Sequence, residues 1–129
     1  MKPHAKLYVS SASTEGVFGE GKWNLLQAIQ DHGSIKKAAA ALGRSYRKAW
    51  GDVKKAEAAL GKDLVIKKRG GADGGGTDVT SYCRQLLDAW DAHRKTVYAC
   101  VDASFDRNLT VFFGPRARFG KNAREVQEP

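Results

Sequence analysis

The sequence predicts a mainly α-helical domain with a small β-hairpin, and three features of its 129 residues lead to that fold class. Apolar residues recur three and four positions apart over most of the chain, which is the helical period. Serine or threonine precedes three of the helical stretches, and glycine follows three of them, as is usual at helix ends. Near the middle, a loop with five glycines at residues 70–76 separates two short stretches of strand type, which indicates a hairpin.

The individual elements follow from these signals. Short strands are expected at Lys6–Ser10 and Val17–Phe18, before a first helix that begins near Lys22 and ends at Gly33. Ser34 and Ser45 are the predicted N-caps of a second and a third helix, which are joined by a turn of about three residues that contains glycine. The hairpin that follows, with strands at 64–66 and 77–79, would form a wing. The predicted architecture is therefore a winged helix-turn-helix.

The third helix separates into two faces when its residues are placed at about 100° per residue. The apolar arc contains Tyr46, Ala49, Trp50, Val53, Ala56 and Leu60, which we expect to face the core. The opposite arc contains Arg47, Lys48, Gly51, Lys54, Lys55 and Ala58. Four cations on one face predict a surface for a polyanion.

The charge distribution agrees with this interpretation. The net charge is +8, and residues 34–69 alone carry eleven basic and three acidic side chains, whereas the rest of the chain is neutral. Such a localised positive field favours a nucleic acid partner. The alternative is a solvated face that has no partner.

Double-stranded DNA is the partner that these features favour, because an α-helix fits the major groove. The third helix would read bases, the start of the second helix would contact phosphates, and the cations before the glycine loop would contact the flanking backbone or the minor groove. A nucleotide-phosphate loop is disfavoured, since neither common glycine motif is present. The candidate DNA-binding residues are Ser34, Lys36, Lys37, Arg44, Ser45, Tyr46, Arg47, Lys48, Lys54, Lys55, Lys67, Lys68 and Arg69.

A long helix is expected from about Ser81 to about Ala103, roughly 35 Å in length. Its heptad-like stripe consists of Cys83, Leu87, Trp90, Arg94, Val97 and Val101. So small a domain would not cover the whole stripe by itself, so we favour a homodimer over packing on the first helix. Residues 1–104 would form the DNA-binding domain and 105–129 a basic tail, with a strand at 109–113. Whether the tail is partly disordered or touches DNA stays open.

The sequence does not indicate an enzyme. It contains no nucleophile–base constellation, and its histidines, at positions 4, 32 and 93, lack metal-ligand spacing, so no metal or cofactor is expected. Cys83 and Cys100 would lie about 25 Å apart on one helix and would not bridge each other. The absence of a long apolar run or signal-peptide segment argues against a membrane protein and favours a cytoplasmic location.

Between Leu25 and Leu87 the sequence resembles the N-terminal DNA-binding domain of the molybdate-dependent transcriptional regulator (ModE) family, a winged helix-turn-helix related to the LysR type. The resemblance implies a bacterial or archaeal regulator. It also implies a homodimer joined through the first and the last helix, with Leu25 of the first helix at the contact. The matching residues are Leu25, Leu26, Ile29, Gly33, Ser34, Ile35, Ala38, Ala39, Leu42, Gly43, Ser45, Tyr46, Ala49, Trp50, Leu60, Gly61, Leu64, Val65, Gly70, Gly71, Gly74, Gly75, Gly76, Thr80, Leu86 and Leu87.

The chain departs from this family in two ways. Cys83 stands where glycine is common, and Phe105–Pro129 is too short for the family's C-terminal oxyanion-binding module. We therefore expect millimolar molybdate to change neither the melting temperature nor the DNA affinity. The test is sensitive, because a ligand at 100 times its dissociation constant stabilises a protein by about 2.7 kcal/mol. A clear rise in melting temperature would show that the chain has a molybdate site.

The sequence thus predicts a homodimeric, sequence-specific transcriptional regulator, with a role in molybdenum metabolism through its target genes. Two alternatives remain: an architectural DNA-binding protein with little sequence preference, and a redox or small-molecule sensor acting through the long helix near Cys83, Trp90 or Cys100. The operator sequence, the effector and the sign of regulation do not follow from the sequence.

Overall fold

The computed structural model describes residues 1–68 and 76–117. The chain divides into two compact units, one formed by Tyr8–Ala89 and the other by Met1–Leu7 and Trp90–Pro129. The elements are β1 (Tyr8–Val9), β2 (Phe18–Gly19), α1 (Glu20–His32), α2 (Ile35–Ala41), α3 (Tyr46–Leu60), β3 (Val65–Lys68), β4 (Gly76–Val79), α4 (Ser81–Asn108) and α5 (Thr110–Phe113). β1 pairs antiparallel with β2, and β3 with β4. The predicted class, mainly α with a small β wing, is confirmed.

The helix ends are formed by the capping residues that the sequence predicts. The Ser34 hydroxyl accepts a hydrogen bond from the Lys37 amide at 2.9 Å, and the Ser45 hydroxyl accepts one from Lys48 at 3.1 Å. Gly33 and Gly61 end α1 and α3 with φ of 75° and 67°, a left-handed conformation that favours glycine. The ends of α1 and α3 and the starts of α2 and α3 are thereby set by local interactions.

The wing is attached to the turn between α1 and α2. The Thr77 amide donates a hydrogen bond of 2.8 Å to the Gly33 carbonyl. A Cβ at Gly76 would collide with that same carbonyl oxygen, so the backbones approach as closely as they do only because Gly76 has no side chain. This contact, which local sequence patterns do not reveal, fixes the base of the wing beside the start of α2.

The core of the first unit is built from small side chains where α2 meets α3. Ala38, Ala39, Ala49 and Ala56 are buried together with Val53. The prediction that the apolar arc of α3 faces the core is therefore wrong for its two largest residues, because Tyr46 is 53% exposed and Trp50 is 47% exposed. The buried side of the helix is lined by alanines and a valine, and helices that meet through alanines leave little space for aromatic rings. The largest fully buried side chains are Leu25, Leu26, Ile29, Leu64, Val79 and Cys83.

The C-terminal part of the described chain differs from the sequence prediction. α4 continues to Asn108 instead of ending near Ala103, and residues 110–113 form the short helix α5 instead of a strand. Phe105 is buried and its ring stacks on that of Phe113, with centroids 6.2 Å apart. This contact between two phenylalanine rings outweighs the strand propensity of the Thr-Val-Phe-Phe sequence.

The predicted basic tail is only partly described. The Arg116 guanidinium bonds Asp106 at 2.9 Å and lies 3.5 Å from an oxygen of Asp102, so this cation is held against α4 by two carboxylates. The other basic residues of the tail, Arg118, Lys121 and Arg124, lie outside the described residues.

Candidate nucleic-acid interface

The basic face of α3 is exposed along its length. Arg47, Lys48, Lys54 and Lys55 are all exposed, as the helical wheel predicted. Gly51 lies among them, and a Cβ placed there would meet no atom within 4 Å. Glycine in a helix interior costs about 1 kcal/mol relative to alanine. Since space is available for a methyl group, packing within the described residues does not account for this glycine.

One edge of this face is aromatic. Tyr46 and Trp50 are one helical turn apart, and the Lys54 ammonium lies 5.7 Å from the centre of the Trp50 ring, within the range of a cation–π interaction. The same ammonium donates a 3.0 Å hydrogen bond to the Glu57 carboxylate. The candidate interface, for which the sequence predicted Tyr46 and the cations, therefore also includes the Trp50 ring.

Glu57 connects this edge to the wing. Its other carboxylate oxygen accepts hydrogen bonds from the backbone amides of Leu64 at 2.8 Å and Val65 at 3.3 Å. Burial alone would raise the pKa of Glu57, but the bonds from Leu64, Lys54 and Val65 outweigh it and lower the pKa. Helical periodicity alone places Glu57 at the edge of the apolar arc of α3. Its role in holding β3 to the end of α3 depends on contacts seven and eight residues away.

The opposite edge of the face receives a cation from outside α3, Lys22. The Lys22 ammonium donates a 2.7 Å hydrogen bond to the Gly16 carbonyl. Burial lowers the pKa of Lys22, and the charges of Lys55 and Lys48 lower it further against the opposing effect of Asp52. Lys22 was not among the predicted site residues, because its position in sequence, on α1, does not show that it lies in the field of the α3 cations.

Arg44 is placed differently from the other predicted cations. Its guanidinium donates a 2.9 Å hydrogen bond to the carbonyl of Gly21 and is half-buried. The side chain therefore anchors the turn before α3 to the start of α1. Ser34 and Ser45 are likewise committed to helix capping through their hydroxyls.

The remaining predicted cations lie around the base of the wing. Lys36, Lys37, Lys67 and Lys68 are exposed. The Lys68 ammonium is 3.8 Å from the position that a Cβ would occupy at Gly33, so the end of β3 lies beside the turn that leads into α2. The structure thus brings the wing strand and the start of α2 together. Arg69 lies outside the described residues.

The predicted dimer residues are mostly covered by the chain itself. Leu25 and Cys83 are fully buried, and Leu87, Trp90 and Arg94 are buried as well. Within the stripe itself, Cys83, Leu87, Trp90 and Arg94 therefore need no second chain to cover them. Val97 and Val101 are partly exposed, so the far part of α4 is where a partner would find apolar surface.

Other types of site receive little support from the described residues. Burial raises the pKa of the Cys83 thiol to about 11, which disfavours the reactive thiolate. Cys100 is exposed. Within 1–68 and 76–117, no three His, Cys, Asp or Glu side chains come together as metal ligands would. In the same ranges, no helix combines the length and apolar composition required to cross a membrane.

Comparison with known families agrees with the geometry. Residues 22–81 match the family described as bacterial regulatory helix-turn-helix protein, lysR family. A solved structure described as the crystal structure of a CbnR_DBD–DNA complex superimposes with a TM-score of 0.50 at 23% sequence identity, covering 70% of this chain and 94% of that one. The shared fold is a winged helix.

Two curated relatives are similar to part of the chain. The Molybdenum transport protein ModE of Azotobacter vinelandii is 32% identical over 83 residues, which are 64% of this chain and 31% of the relative. The Transcriptional regulator ModE of Haemophilus influenzae is 36% identical over 72 residues, 56% of this chain and 28% of the relative. The matched segment thus spans less than a third of either relative.

Proposed function

We propose that this protein is a homodimeric regulator that binds specific sequences in double-stranded DNA, because residues 22–81 match the LysR helix-turn-helix family and the chain is similar to ModE regulators. The observation that carries the proposal is the exposed basic face of α3. In the helix-turn-helix formed by α2 and α3, α3 is the second helix, which is the one that contacts bases. The family that residues 22–81 match consists of regulatory proteins, which are not a class of enzymes.

The proposed docking places α3 in the major groove. The groove is about 12 Å wide, and a helix with side chains is about 10–12 Å across, so the outermost face lies against the base edges. Arg47 lies near the start of that face, and its planar guanidinium suits two acceptors on a guanine. Lys48 and Lys55 on one side and Lys54 on the other are placed to reach phosphates.

The wing and α2 supply backbone contacts in this proposal. Lys67 and Lys68 lead into the glycine loop, and Lys36 and Lys37 lie in the first turn of α2. Their shared location at the Gly33–Thr77 contact supports binding to one continuous stretch of DNA backbone. These cations fix the orientation of the protein but carry no sequence information by themselves.

The decisive experiment is to sequence the genomic fragments that the purified protein retains, and then to measure affinity for the recovered site and for random duplex across a salt series. A specific regulator binds its site roughly 10³-fold or more tightly than random DNA. A ratio near one would contradict sequence-specific regulation and favour an architectural protein. An oxidant- or ligand-dependent change in affinity would instead favour a sensor.

The homodimer can be tested at Val97 and Val101, which form the partly exposed end of the heptad-like stripe on α4. We expect the double substitution Val97→Glu and Val101→Glu to yield folded monomers with weaker DNA binding, because carboxylates would be buried between the two copies. Charged residues at Leu87 or Trp90 would not separate assembly from folding, since both side chains are buried within the chain. Sedimentation at micromolar concentration, with circular dichroism as a check on folding, measures the effect.

A matched control introduces the same two negative charges on the opposite side of α4. Ala99 and Ala103 are exposed and have the same spacing as the two valines. Ala99→Glu with Ala103→Glu should leave the dimer intact. A wild-type protein that sediments as a monomer would contradict the homodimer, and a dimer unaffected by the valine substitutions would place its interface elsewhere.

A role in molybdenum metabolism is a finer proposal, supported by the name of the Azotobacter relative. The same sequenced fragments test it: enrichment of DNA beside molybdate-transport or molybdenum-cofactor genes would support the role, and enrichment confined to unrelated genes would contradict it.

A further inference from the structure

The most unusual part of the α3 surface is its pair of exposed aromatic rings. Tyr46 occupies the first position of the helix and Trp50 the fifth, so the two side chains lie on one edge, one turn apart. About half of each residue is exposed, 53% for Tyr46 and 47% for Trp50. Large rings at such positions add little to the core and more often serve recognition.

The Trp50 ring is held in position by a chain of contacts. The Lys54 ammonium lies 5.7 Å from the ring centre and bonds the Glu57 carboxylate at 3.0 Å. That carboxylate is in turn fixed by the Leu64 amide at 2.8 Å. These contacts link the edge of α3 to the start of the wing and place the indole beside the basic face.

The neighbouring position leaves space beside the ring. Gly51 is exposed, and a Cβ there would meet nothing within 4 Å. Arg47, three residues before Trp50, lies on the adjacent outward arc. The local surface is therefore an aromatic ring next to a guanidinium, with open space over the helix backbone at Gly51.

We infer that Trp50 is a specificity-determining residue that contacts the C5-methyl group of a thymine in the major groove. This rests on the proposed function, since it requires α3 to lie in that groove. Among the four bases, only thymine presents an apolar group there, and apolar side chains are the ones that contact it. Trp50 lies within the N-terminal part of α3, which is the part of a recognition helix that reaches base edges.

The test replaces thymine by uracil, because that change removes only the methyl group and keeps base pairing. Starting from the site selected by the wild-type protein, each thymine is replaced in turn by deoxyuridine. We expect about fourfold weaker wild-type binding at one thymine position of each half-site, the factor expected when one methyl loses its apolar contact. Trp50→Ala should bind the thymine site more weakly and show no further loss with uracil.

Three variants make the assignment specific. Tyr82→Ala removes another exposed aromatic residue of the same unit, on α4, and should keep the full uracil effect. Tyr46→Ala should also keep it, since the inference assigns the methyl contact to Trp50. Trp50→Gln provides a second test if circular dichroism shows that Trp50→Ala does not fold.

The outcomes separate this inference from the proposed function. A wild-type protein that selects no sequence would refute the proposed function and this inference with it. A selected site at which uracil has no effect, or an effect that persists in the Trp50 variants, would overturn the inference alone. An effect abolished by Tyr46→Ala but not by Trp50→Ala would also overturn it.

Discussion

Replacing Gly76 by valine is expected to lower the free energy of unfolding by about 2–4 kcal/mol. Any Cβ at this position collides with the Gly33 carbonyl oxygen, a backbone atom that moves only if the end of α1 or the wing moves with it. Relief of the collision would also stretch the 2.8 Å hydrogen bond from the Thr77 amide to the same oxygen. Urea unfolding followed by circular dichroism measures the loss.

Gly51→Ala is the matched control for this prediction. The added methyl group meets no atom within 4 Å, and Gly51 is in the interior of a helix. Its expected effect is opposite, a stabilisation of about 1 kcal/mol. Equal stabilities of Gly76→Val and wild type would show that the wing is not seated against the turn between α1 and α2.

Arg47→Ala is expected to weaken binding at the specific site by about 1–3 kcal/mol and to relax the preference at one base position, with little change on random DNA. The reason is that a guanidinium bound to one base pair contributes only where that base pair is present. Lys67→Ala should weaken binding to both duplexes alike and reduce the salt dependence by roughly one unit. Both side chains are exposed, so both variants should fold.

The measurement is affinity for specific and random duplexes across a salt series, with Lys95→Ala as the control. Lys95 is exposed on α4, where it pairs with Asp91 at 2.9 Å, and its loss should leave both affinities nearly unchanged. Equal losses on both duplexes for Arg47→Ala would remove Arg47 from base recognition. Lys48 would then be the next candidate, because the Arg44 guanidinium is engaged with the Gly21 carbonyl.

Several features of this protein were determined by the sequence alone. Ser34 and Ser45 cap their helices, and Gly33 and Gly61 end theirs, because these interactions involve residues within one turn of each other. The basic face of α3 follows from helical periodicity in the same way. Local rules of this kind were sufficient to predict the helix-turn-helix, the wing strands and most of the candidate interface.

Only the tertiary structure decided which residues cover which surface. Trp50 belongs to the apolar arc by periodicity, yet it is exposed, because α3 buries its alanines and Val53 instead. Leu87 and Trp90 form a heptad-like stripe, yet the chain covers them itself. Gly76 has a specific role only because the chain returns to Gly33, more than forty residues earlier. Such outcomes depend on contacts between distant segments, and the periodicity of a single helix carries no information about the shape of its neighbour.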